Sequence, residues 1–383
     1  MMCNINCFFL KKAKGFIRAF AIVVLLGVLL ISSGCSTTQK LSDDKYEQKF
    51  SILSFNIFQE GTRFPNGFEY IADNIAHIQP DIVSFAEVRN YNNTDFIARM
   101  IEALQQRGLT YYGKKGLSTG VISRYPIEEQ FFLCPWKSES DDGSATRVKI
   151  RIKEQEIVLY ALHLDWRYCS YYLPRGFHSS QWIPIDRKVT DPEELLEDSR
   201  KSNRDEILRK VIEDASLQKK KGALIFIAGD FNEPSHLDWQ HDTRDLYAHH
   251  GVVVDWECSA LLKEQGYMDS FRQIYPDSVT FPGFTYPAFD KPIDLTHFEW
   301  DPAKGSDNER IDFIYYYPDS SLILESVSIV GPVSETLNNG APLVPAERDV
   351  DFPLFIAPHN GWGSDHKAVF STFRLNLSQM SRQ

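Results

Sequence analysis

The residues of this chain that could do chemistry fall in an ordered series of short polar clusters. They are Asn56 in SFNI (54–57), Glu87 in AEVR (86–89), His163 and Asp165 in LHLD (162–165), and Asp230 and Asn232 in GDFNE (229–233). Asp312 in RIDFI (310–314) and the pair Asp365 and His366 in GSDHK (363–367) complete the series. Carboxylates hold hard divalent cations, and amides orient oxygens without adding charge. An imidazole near neutral pKa can take a proton from water. Together these side chains could bind a cation, activate a water and stabilise charge on a phosphate.

Each residue also has a plainer reading. Asn56 could orient a phosphate oxygen or a metal-bound water, or close a turn. Glu87 ends the apolar run DIVSFAE, so its carboxylate should emerge at a sheet edge to bind a cation or pair with Arg89. Arg147 is a phosphate clamp or a surface charge. His163 is a core histidine or, beside Asp165, a hydrogen-bond donor to a phosphate oxygen. Asp230 and Asn232 share one face after the run LIFIA, suited to metal or water and to a phosphoryl oxygen respectively, though an Asx turn would use the same residues. Asp312 and His366 have the chemistry of an orienting carboxylate and a general base, leaving Asp365 to contact metal. Six clusters in order argue for an enzyme.

Strand-like runs must carry these residues: 50–57, 82–86, 120–123, 145–152, 157–164, 224–228, 310–317, 322–330 and 368–375. Helical patterns cover 69–78, 94–107 and 192–218, the last with Asp191 as N-cap and Pro192 at the first helical position. Alternation of strands and helices predicts one α/β domain over 49–378. Three segments depart from the scaffold: 166–188, 275–300 and 331–362. The first carries Trp166 and Tyr168, suited to stacking on substrate, or to packing on the domain itself. Arg89 is a further candidate for substrate binding.

The first 34 residues read as an export signal, with Lys11, Lys12, Lys14 and Arg18 before the apolar run 19–31. Ser32-Ser33-Gly34-Cys35 resembles the lipobox of bacterial lipoproteins, which implies a lipidated Cys35, a polar tether over 35–48 and a place in the cell envelope, facing periplasm or cell surface. Losing four of the 41 basic residues leaves 37 against 52 acidic ones, a formal charge of −15 where the whole chain has −11. That balance disfavours nucleic acid as a global partner, leaving a local basic groove open. Cys134, Cys169 and Cys258 then remain, an odd number that offers no disulfide framework.

The clusters, above all GDFN and the closing SDH, resemble the endonuclease/exonuclease/phosphatase family over about 49–375. The resemblance implies a four-layer α/β/β/α sandwich of two packed mixed β-sheets flanked by helices. It implies Glu87 as principal metal ligand with Asn56 and Asp365, Asp230 and Asn232 as the water- and phosphate-positioning pair, and His163 and Arg147 as phosphate-stabilising residues. Asp312 and His366 take the roles of orienter and base. Magnesium is the expected cofactor, with manganese or calcium as alternates. Phe58 stands where repair nucleases of the family carry an acidic residue, and the nuclease tyrosine has no clear counterpart, Tyr111 and Tyr112 being nearest. The expectation is a lipid-anchored, monomeric hydrolase of phosphate esters, diesters foremost. A scavenging nuclease is the rival within the class, and a non-catalytic binding lipoprotein the rival outside it.

Overall fold

The computed structural model describes residues 47–137, 140–288, 307–333, 336–338, 341–343 and 354–377. The compact unit Gln48–Gln383 contains every candidate site residue except Cys35. The expected leader and lipid anchor lie outside the described residues, and no helix among those described is long and apolar enough to cross a membrane.

Two mixed sheets face each other. The first runs, in spatial order, β14 (Phe355–Ile356), β11 (Leu322–Val330), β15 (Ala368–Asn376), β1 (Glu47–Asn56), β2 (Ile82–Val88), β4 (Ser118–Ser123) and β3 (Tyr112–Gly113). The second runs β5 (Ile127–Cys134), β6 (Gly143–Ile152), β7 (Gln155–Leu164), β8 (Leu224–Asp230), β10 (Asp312–Tyr316) and β9 (Met268–Asp269). A small hairpin, β12 (Thr336–Asn338) and β13 (Ala341–Leu343), stands apart from both sheets. β1 starts at Glu47, inside the stretch expected to be tether.

Strand alternation divides each strand's apolar residues between two environments. Phe50 and Ile52 of β1 face the second sheet, while Leu53 and Phe55 face the helices Gly67–Ile78 and Phe96–Gln106. On the second sheet, Ile157, Leu159 and Ala161 face inward, while Val158, Tyr160 and Leu162 meet the helices Arg204–Lys219 and Glu257–Glu264. Both faces of each sheet are therefore buried, which produces the four-layer sandwich that the family resemblance implies. Phe50 and Phe373 from one sheet and Phe226 from the other meet with ring centroids 5.0–5.7 Å apart. Each such fully buried ring contributes about 1.5–3 kcal/mol.

Asp191 caps its helix as expected, accepting from the amides of Glu193 and Glu194. The single helix expected over 192–218 is instead two, Pro192–Ser199 and Arg204–Lys219. The break turns Arg204 inward, where its guanidinium donates to the carbonyls of Asp165, Arg167 and Tyr168 and to Ser199 Oγ. A run of helix formers is interrupted because one buried cation satisfies three loop carbonyls. Strand β5, absent from the sequence reading, is an edge with Phe131 and Phe132 exposed, so its pattern lacks the alternation of a half-buried strand.

Candidate active site

The inward faces of several strands are apolar along their length and turn polar at one end. On β7 the series Ile157, Leu159, Ala161 ends in His163; on β8 Leu224, Phe226, Ala228 ends in Asp230; on β10 Tyr316 and Ile314 lead back to Asp312. These three are register neighbours, His163 with Asp230 and Asp230 with Asp312. From the opposite sheet Asn56, the last residue of β1, donates through Nδ2 to Asp230 Oδ2 at 2.9 Å. The same nitrogen lies 3.3 Å from Glu87 Oε1 and 3.4 Å from His366 Nε2. Residues drawn from 56 to 366 therefore meet at one rim.

Glu87 reaches the rim through a β-bulge. Val83 and Phe85 point toward the helices, so strict alternation would send residue 87 there too, but Val88 takes that place. The β2–β4 register slips between Ala86 and Val88, and Glu87 adopts φ 68°. A bulge re-aims a side chain, and here it swings a carboxylate to the site side. The adjoining turn, Phe58 to Glu60, is left-handed at all three residues and wraps the same group, with Gln59 N donating to Glu87 Oε2 at 2.9 Å. Backbone held in that region costs of order 1–3 kcal/mol per residue and persists where neighbours enforce it.

His366 and Asp312 form a buried dyad, Nδ1 to Oδ2 at 2.8 Å. Burial opposes charge on the imidazole, but the carboxylates of Asp312 and Asp230 outweigh it and push His366 up to about 10. The backbone around the dyad is laced down. Ser364 Oγ donates to Asn56 O at 2.6 Å, Trp362 Nε1 donates to His366 O at 2.7 Å, and Thr285 Oγ1 accepts from the amides of Ile311 and Asp312. Tyr286 lays its ring 4.9 Å from that of His366. Thr285 and Tyr286 belong to the segment 275–300 that departs from the scaffold, and its described part buttresses the base.

Burial holds Asp230 and Asp365 up to about 7, with Asp312 adding to the first and Glu87 to the second. Among the described residues, Asp365 Oδ1 and Asp312 Oδ1 are buried with no hydrogen-bond partner. Crowded carboxylates with orphaned oxygens are what a divalent cation relieves, so the donor set fits one. Asp230, Asp312 and His366 bring one ligand atom each within 4.8 Å of one another. His366 Nδ1 is committed to Asp312, however, and Asp230 to Asn56. The remaining anionic donors are Glu87, whose oxygens accept from Asn56 and Gln59, and Asp365, whose Oδ1 has no hydrogen-bond partner among the described residues, while the amide oxygen of Asn56 accepts from Phe58 N and keeps a second lone pair.

The remaining expected residues divide. His163 lies at the rim, but its Nδ1 partner is Ser118 Oγ at 3.1 Å, whereas Asp165 is taken by Arg167 through two side-chain bonds of 2.9 Å. Burial, helped by Arg89, holds His163 down to about 4. Asn232 takes φ 50° and donates to Leu164 O at 3.0 Å, its amide hydrogen going to Asp230 Oδ1 at 2.8 Å, as an Asx turn would have it. Arg89 lies over the Trp136 ring, 3.3 Å from Asp141. Trp166 packs with its ring tilted against that of Trp182, centroids 5.5 Å apart and both half-buried, and Tyr168 is likewise half-buried, whereas Tyr171, Tyr172 and Phe177 pack into a side core.

Arg147 is a correction. It sits opposite Tyr160 on β6, hence on the helix-facing side of its sheet, and is bound by both oxygens of Asp214 and by Glu129. It is a structural ion pair on the far side from the rim. Tyr111 donates to Pro80 O inside the core and Tyr112 is exposed at the sheet edge, so neither reaches the dyad. Cys134, Cys169 and Cys258 are free thiols.

Residues 53–366 match the profile of the Endonuclease/Exonuclease/phosphatase family. An uncharacterized protein of Caenorhabditis elegans is 29% identical over 304 residues, covering 77% of this chain and 86% of that one. Among solved structures, an endonuclease/exonuclease/phosphatase from Beutenbergia cavernae is similar at 17% identity and a TM-score of 0.48, covering 86% of this chain and 72% of that one. The TDP2 of D. rerio, complexed with single-strand DNA product, is similar at 14% identity and a TM-score of 0.45, covering 85% and 99%. With the match spanning the whole series of polar clusters from Asn56 to His366, the chain belongs to the endonuclease/exonuclease/phosphatase family.

Proposed function

We propose that this chain is a divalent-cation-dependent hydrolase of phosphate esters, diesters foremost, with magnesium as its metal, acting as a monomer. The observation that carries the reading is the buried dyad of His366 and Asp312 set beside Glu87 and the buried carboxylate of Asp365, whose Oδ1 has no hydrogen-bond partner among the described residues. Glu87, Asp365 and Asn56 would hold the cation, which supplies charge neutralisation at the phosphate when bound. The neutral form of His366, which the charge of a bound cation would favour against the pull of Asp312 and Asp230, removes the proton from the attacking water while Asp312 fixes its ring and balances the imidazolium. Asp230 and the Asn232 turn position that water and a phosphoryl oxygen, and His163 donates to another. Arg89, Trp166 and Tyr168 are the candidates for contact with the rest of the substrate.

The acidic balance of the chain favours phosphorylated glycans, lipid headgroups or small phosphodiesters over bulk DNA. Export and lipidation at Cys35 would hold the domain on a bacterial membrane, facing periplasm or cell surface. A panel of bis(p-nitrophenyl) phosphate, p-nitrophenyl phosphate, lipid phosphodiesters, plasmid, single-stranded DNA and RNA, with magnesium and with chelator, tests the reading. Cation-dependent turnover of diesters supports it. Dominant degradation of a nucleic acid would replace it with a nuclease, and no turnover of any phosphoester would leave a binding protein.

A further inference from the structure

We propose that Ser118 is a positioning residue that fixes the tautomer of His163, so that this imidazole presents an Nε2–H to a phosphoryl oxygen. The inference rests on the phosphoester reading above for its functional meaning, but its structural content stands separately. Ser118 opens β4 on the first sheet and His163 nears the end of β7 on the second, so their 3.1 Å contact crosses between the sheets. The serine is fully buried, at φ 62°, opposite Val88 and so beside the bulge that aims Glu87.

A hydroxyl hydrogen buried away from water needs an acceptor. Among the described residues, the side-chain partner of Ser118 Oγ is the Nδ1 of His163. If the serine donates, Nδ1 carries the lone pair and the single proton of the neutral ring sits on Nε2. The opposite arrangement would leave the serine hydrogen without an acceptor, at a cost of about 1–3 kcal/mol. The ring has no carboxylate on its anchored nitrogen, and the groups that act on it electrostatically are Arg89, Glu87, Asp141 and His366.

The contrast with His366 is instructive. Both imidazoles are anchored through Nδ1 to a strand residue at the same rim, one by a carboxylate and the other by a hydroxyl. A carboxylate anchor supports a ring that must become positive; a hydroxyl anchor suits a ring that stays neutral and donates. The site thus holds one proton acceptor and one hydrogen-bond donor made from the same residue type.

Long-range 15N–1H correlation spectra of the histidine-labelled protein, with and without magnesium, read the tautomer directly. The expected result is Nε2–H for His163 in the native protein and a mixture of tautomers in Ser118→Ala. Ser118→Gly, which suits the left-handed backbone, serves the same purpose if the alanine variant does not fold. With bis(p-nitrophenyl) phosphate, loss of the anchoring bond should lower kcat/KM about tenfold, equivalent to about 1.4 kcal/mol. The same change should add nothing in a His163→Ala background. An Nδ1–H tautomer in the native protein would overturn the proposal even if no phosphoester is turned over. An undiminished effect of the serine change in the His163→Ala background would overturn it as well.

Discussion

Replacing Asp312 by Asn tests the dyad with the smallest change of shape. The native carboxylate accepts from His366 Nδ1 at 2.8 Å with the imidazole buried, so the ring gains its charge in contact with a fixed anion. A hydrogen bond to a charged group contributes about 1.5–3 kcal/mol. Loss of that stabilisation alone raises the barrier to proton removal enough to slow turnover about 10–100-fold. The amide can also present its NH2 to Nδ1 and turn the ring toward the wrong tautomer, which extends the expected loss toward about 10⁴-fold. Initial rates of bis(p-nitrophenyl) phosphate hydrolysis in magnesium, with KM measured separately, give the number. The loss should fall on kcat, with KM little changed, because the dyad acts on water. The His366 resonance should titrate well below its native value of about 10, since the largest charge holding it up is gone. A folded Asn variant with kcat within about threefold of native would refute the assignment of His366 as base.

Three further outcomes follow from the same geometry. Thermal stability of the metal-free protein should fall between pH 5 and pH 9. Asp230 and Asp365 are raised to about 7 and His366 to about 10, so each contributes stability that is present at low pH and lost as pH rises through those values. A melting temperature flat or rising across that window would contradict the buried-charge reading. Magnesium binding near pH 7 should release protons, seen calorimetrically as heats that depend on the buffer, because a cation displaces protons from crowded carboxylates; binding without release would argue against Asp365 as a ligand. Arg147→Ala should destabilise the fold by about 1–3 kcal/mol by leaving the carboxylate of Asp214 without its cation, while kcat stays within about threefold. A large fall in kcat with the fold intact would put Arg147 back at the site.

What could be read from sequence was whatever alternation alone decides. Asp230, Asp312 and His163 each extend an inward-facing apolar series by one step, so strand periodicity places them at a common edge once the strands are recognised. Glu87 was found for a reason that does not hold in detail. Its strand continues to Val88, and only the slipped register, invisible in the letters AEV, turns the carboxylate to the proper side. Arg147 misled because its partner Asp214 lies 67 residues away on a helix, and sequence does not show which side of the sheet that helix covers. Tyr286, Thr285 and Ser118 escaped because their importance comes from contacts with other segments. The break at 200–203 escaped because helix propensity there is overruled by the buried bonds of Arg204.

The reactive groups belong to two separate slabs of backbone, and the bonds from Asn56 to Asp230 and from Ser118 to His163 stitch those slabs together at the reactive end, with further ties from Ser84 to Ala228 and between Thr119 and Thr146. Behind the stitches the filling is mostly hydrocarbon, including the rings of Phe50, Phe226 and Phe373. The thickness of that filling sets how far apart the halves of the reaction centre stand. Trimming Phe226 to Leu, a substitution that removes no reactive atom, therefore acts as an adjustment of gauge and should alter turnover through spacing with every reactive side chain retained.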